Sequence, residues 1–122
     1  MPTLMTISLA VNILVLVPIV VLMAIKSPLV DEAWGPFSAA RGILFSIYFA
    51  ILIASIVLVI IPIPAFIAAL LLVQVVYKIT TPVTVGRLQN PVVISNLVIA
   101  AVHVVTLVAI FRNYGDQFIP IR

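Results

Sequence analysis

Hydrophobic side chains fill four stretches of this chain almost without interruption, and most polar positions fall between them. The stretches run over residues 3–25, 38–61, 64–81 and 91–111. Each approaches the roughly 20 apolar residues that a helix needs to cross a bilayer. The pattern predicts an all-α integral membrane protein. Its four transmembrane helices would pack as two antiparallel hairpins and form one domain over residues 1–122. Residues 26–37 read as an interfacial connection, and 112–122 as a short polar tail.

The punctuation between the stretches sharpens this outline. The first stretch is too long for the apolar region of a signal peptide and has no basic run before it, so it reads as a retained span. Pro18 lies inside it and predicts a kink. Trp34 beside Asp31 and Glu32 suits the headgroup level. Ser38 is placed to start the second helix. Pro62 and Pro64 stop that helix and open the third. The uncharged connection between them predicts a tight antiparallel hairpin of helices two and three. Pro82, Gly86 and the neighbouring β-branched residues predict an extended or turning path from Thr80 to Asn90. Asn90-Pro91 is a good helix start, with a capping amide followed by a proline whose missing donor costs nothing.

Composition fixes the class. Of 122 residues, 66% are apolar and 7% charged, with a mean hydropathy of +1.46. A soluble domain carries roughly 25% charged residues. Four spans nearly exhaust the length and leave no room for a soluble catalytic domain. A net charge of +3 without a basic run is the ordinary flanking of membrane helices and argues against nucleic-acid binding. There is no cysteine, so disulfides and thiolate chemistry are excluded. The two connections on one side carry Lys26, Arg41, Lys78 and Arg87, against Arg112, Arg122 and the amino terminus on the other. An excess of basic residues marks the cytoplasmic face. The expectation is a bacterial cytoplasmic membrane protein with its termini outside.

A few polar residues interrupt the hydrocarbon, and they are the candidate chemistry. Ser8 and Asn12 share a face of the first helix. Gly42, Ser46, Ala50 and Ala54 recur every fourth residue and form a small-residue ridge that lets two helix backbones approach closely. Gln74, Lys78 and Thr81 share a face at the end of the third helix, where Tyr77 beside Lys78 suggests an interfacial anchor. Asn96, Ala100, His103 and Leu107 fall within a narrow arc of the fourth. Asn12, Gln74, Lys78, Asn96 and His103 are therefore the candidate interhelical polar contacts.

His103, near the middle of its span, is the one cofactor-binding candidate, because neutral imidazole is a good axial ligand for haem and a possible pigment contact. One histidine cannot supply two axial ligands within a chain. The reading favoured by the residues is hydrogen bonding between helices, with Asn96, Thr106 or Ser95 as partners, and no cofactor or metal. Asp31, Glu32 and Asp116 all lie in connections, so no carboxylate is placed to orient His103 or to relay a proton. No catalytic set emerges. The sequence points to a non-enzymatic accessory or structural subunit of a larger membrane complex, in contact with lipid and with other subunits or itself. The alternative is a small homo-oligomeric transporter or channel with a polar path at helices three and four.

Overall fold

The computed structural model describes residues 2–118, and within them every regular element is helical. Four long helices, α1 (Pro2–Ala24), α3 (Ala39–Ile60), α4 (Pro64–Val85) and α5 (Pro91–Phe118), are joined by tight connections and one short helix, α2 (Pro28–Trp34). Each long helix is long and apolar enough to cross a membrane. Large aliphatic and aromatic side chains such as Leu14, Ile43, Phe66, Val73 and Val98 point outward along them. An apolar exterior of this extent is the surface of an integral membrane protein in contact with lipid.

α1 packs chiefly against α3, and α4 chiefly against α5. These are the two antiparallel hairpins that the four apolar stretches predict. The tight packing expected between helices two and three is not found, because α3 and α4 meet only slightly. The backbone leaves the helical region at Ile61 (φ −122°) and is extended at Ile63 (φ −100°), with Pro62 between them. Near this turn Leu58 joins Ile67 and Leu71 in one apolar cluster. Further along, the helices diverge.

The core has three layers. Met5, Leu9, Leu58, Leu71, Leu107 and Ile110 belong to an apolar cluster at one end. Leu16, Val20, Tyr48, Ile51 and Leu52 belong to a second cluster at the other. Between them lies a polar layer. On α1 it is Asn12, between Leu9 and Leu16. On α3 it is Ser55, between Leu52 and Leu58. Within lipid, polar side chains of this kind are retained by bonding one another across helices.

Three boundaries depart from expectation, each for a local reason. Residues 28–34 are helical rather than an irregular connection. The Ser27 hydroxyl caps α2 by accepting the Leu29 N–H at 3.3 Å, and Pro28 occupies the first turn. α4 continues through Pro82 to Val85 instead of ending near Thr81. Pro82 has no N–H for the Lys78 carbonyl, and the Thr81 hydroxyl donates to that oxygen instead, at 2.7 Å. The helix stops at Gly86, whose φ of 83° is the left-handed cap that glycine adopts freely. α5 runs on to Phe118 through most of the stretch read as a tail. Tyr114 and Phe118 stack at 6.4 Å and cover the first apolar cluster. The rest of that stretch, 119–122, lies outside the described residues. Pro18 is carried within α1, which is one continuous helix from Pro2 to Ala24.

Candidate functional site

His103 sits at the centre of the polar layer and is fully buried. Its Nε2 lies 2.9 Å from Asn12 Oδ1, and its Nδ1 lies 3.1 Å from Ser8 Oγ. Asn12 Nδ2 donates to Ser55 Oγ at 3.1 Å, tying α3 to the same network. Thr106 Oγ1 stands 2.6 Å from Ser8 Oγ. Asn12 presents a carbonyl to Nε2, so that nitrogen carries the proton and Nδ1 accepts from the Ser8 hydroxyl. The imidazole is thus held in one neutral tautomer with both nitrogens engaged. The partners differ from those expected. They are Ser8 and Asn12 of α1, one turn apart, and of the anticipated set only Thr106 joins the network, through Ser8 rather than His103 itself. Asn96 and Ser95 face elsewhere.

Asn96 instead meets Lys78. The Lys78 amino group donates to Asn96 Oδ1 at 3.1 Å and lies 4.9 Å from the centre of the Tyr77 ring. Lys78 is only 5% exposed. The continuation of α4 to Val85 puts it two turns, roughly 10 Å, inside the helix end. It points inward to α5, not outward as an interfacial anchor. Among the described residues Arg41 pairs with Asp31, and no carboxylate is set against Lys78. Asp116 is about 30 Å further along α5 than Asn96.

Lys78, Asn96, Gln74 and Asn12 all line one cavity of about 230 Å³. It lies between α1, α4 and α5. Leu16, Ile19 and Ile99 supply apolar wall, and Trp34 and Tyr48 close one end. Gln74 bonds back to the Leu70 carbonyl at 3.4 Å. The lining residues that keep exposure on the spans include Val15 and Ile19 of α1 and Val92 and Ser95 of α5. The cavity therefore reaches the surface between α1 and α5. Four of the five candidate polar residues converge here, and the fifth, His103, touches the same Asn12. Asn12 joins cavity and network, and no spacing rule within one helix could have shown it.

The end wall is held by α2. Arg41, 6% exposed, pairs with Asp31 and donates to the Gly35 carbonyl at 2.7 Å. Trp34 Nε1 donates to Tyr48 Oη at 3.3 Å. Asn90 caps α5 by accepting the Val92 N–H at 2.8 Å, and donates to the Ala33 carbonyl at 3.1 Å. α2 is thus fastened to α3 on one side and to α5 on the other. Asp31 is half-exposed, so its ion pair with Arg41 contributes modestly. Arg41→Ala is expected to cost about 1–2 kcal/mol and to shift the emission of Trp34 to longer wavelength as α2 loosens. Trp34 is the chain's single tryptophan, so the spectrum reports on this wall directly. An unchanged spectrum would mean that α2 is held by other contacts.

The small-residue ridge does not face the bundle. Ser46 and Ala50 are exposed, and Gly42 and Ala54 are half-buried. The buried face of α3 is Arg41, Tyr48, Ile51, Leu52, Ser55 and Leu58. Among the described residues no group of three or more His, Asp or Glu is arranged to hold a metal ion. Comparison with protein-family models, with curated proteins and with solved structures finds no match.

Proposed function

We propose that this integral membrane protein is a non-catalytic accessory or structural subunit of a larger membrane complex. The observation that carries the proposal is the direction of the Gly42–Ser46–Ala50–Ala54 ridge. A ridge of small residues favours close helix–helix approach in lipid, yet α3 uses its other face for its own bundle. The ridge is free to receive a helix from another subunit or from a second copy. The interior polar groups supply the fold instead. His103, Ser8, Asn12, Ser55 and Thr106 bond to one another with no carboxylate among them, which supports a non-enzymatic reading. Haem or pigment ligation through His103 would take one ring nitrogen out of its present bond.

Ala50→Phe places a bulky ring on the outward ridge without touching the core. It is expected to release the protein from its companions during gentle detergent extraction, at unchanged thermal stability. Undiminished co-purification would count against the proposal.

A second reading is favoured by the cavity: a small transporter or channel whose polar path includes Gln74, Lys78 and Asn96. In that case solute flux into liposomes should fall when His103, which holds Asn12 at the cavity wall, is replaced by alanine. For orientation, the basic residues favour termini outside a bacterial cytoplasmic membrane. Lys26 and Arg87 carry most of that argument, since Lys78 lies well within α4. A reporter fused to either terminus and found active in the cytoplasm would reverse it.

A further inference from the structure

We propose that the cavity between α1, α4 and α5 binds an amphipathic anion. The ligand would carry one carboxylate or phosphate group on an apolar tail, with Lys78 and Asn96 taking the headgroup.

Three observations converge. First, Lys78 brings a cationic amino group to the wall of an otherwise largely apolar space, at 5% exposure, with one hydrogen bond and no carboxylate opposite. A charge held in low dielectric calls for an opposite charge or for water. Every nearby acidic group is otherwise placed. Asp31 is taken by Arg41, and Glu32 is exposed on α2, lining a separate outer groove with Arg87. Second, the Asn96 carbonyl accepts from Lys78, so its amide nitrogen is left as a further donor beside the amino group. Third, the remaining lining is suited to a hydrocarbon tail: Leu16, Ile19, Ile99 and the rings of Trp34 and Tyr48. The half-buried rim at Val15, Val92 and Ser95 opens between two spanning helices, so a tail can enter from the surrounding lipid. The inference stands apart from the outward ridge of α3 and does not depend on it.

Trp34 lines the cavity and is the single tryptophan, which gives a built-in probe. The full chain would be reconstituted in zwitterionic phosphatidylcholine nanodiscs. It would be titrated with dibrominated stearic acid, with the methyl ester of that acid, and with a dibrominated phosphatidic acid, whose bromines quench a nearby indole. Saturable quenching by the acid, about tenfold stronger than by the ester, is the expected result. Quenching by the acid alone would mark a free carboxylate as the ligand class, and quenching by the phosphatidate a lipid headgroup. Lys78→Met should remove the preference for the anion. Asn96→Asp, which places a carboxylate against Lys78 within the chain, should remove it too while leaving the shape of the cavity. Equal quenching by acid, phosphatidate and ester, unchanged in both variants, would show mere partition into the bilayer and overturn the proposal.

Discussion

Replacing His103 with alanine lowers the stability of the folded protein by about 2–4 kcal/mol. The two lost hydrogen bonds supply only part of this. Interhelical bonds in membrane proteins are worth about 0.6 kcal/mol each on average, so the pair accounts for roughly 1 kcal/mol. The remainder comes from what is left behind. Asn12 keeps a carbonyl with no donor, and an imidazole-sized void opens between the two apolar clusters, where neither can collapse to fill it. His103→Gln can still donate to Asn12 and should lose less. Unfolding in mixed micelles, followed by the far-ultraviolet helical signal, measures both. An alanine variant as stable as the parent would mean that the polar layer does not hold α1 against α5.

Lys78→Met has the opposite sign. A lysine at the centre of a spanning helix costs about 2.5–3.5 kcal/mol relative to an apolar residue. Lys78 recovers part of that from the 3.1 Å bond to Asn96 and from the Tyr77 ring. Methionine fills a similar length without charge. The variant should therefore be more stable, by about 1–2 kcal/mol, in the absence of ligand. A residue that destabilises the empty protein is better explained by binding than by packing. A loss of stability in the same unfolding experiment would show that Lys78 is structural after all, its bond to Asn96 outweighing the burial of its charge.

Much of the fold was legible because a bilayer admits few solutions. Four apolar stretches must be helices, since every backbone group in hydrocarbon has to be bonded within its own segment. The caps at Ser38 and Asn90 were readable from local chemistry and occur as read: Ser38 accepts the Arg41 N–H at 3.2 Å, and Asn90 the Val92 N–H. The ends of α4 and α5 were not. Pro82 signals a stop, but the Thr81 hydroxyl substitutes for the missing donor. The stretch after Phe111 looks polar, but its aromatic residues are spaced to pack on the bundle. α2 is hard to read from sequence because seven residues carry no periodicity, although Ser27-Pro28 is a start signal.

The candidate site was legible as a set of residues but not as an arrangement. Gln74, Lys78 and Asn96 do converge. His103 finds its partners on α1, at a sequence separation that no helical spacing could report. The direction of the small-residue ridge was equally invisible. The period shows that Gly42, Ser46, Ala50 and Ala54 share a face, but only the placement of Tyr48, Leu52 and Ser55 toward α1 shows that this face looks outward.

We propose that the outward face of α3 belongs to an interface with other subunits. Gentle extraction of the untagged protein from its native membrane tests it most directly, with the particle sized on a native gel and its components identified by mass spectrometry. A large particle containing other membrane proteins, reduced to the single chain by Ala50→Phe, is the predicted result. A particle containing this chain alone, of the same size with and without that substitution, would contradict it.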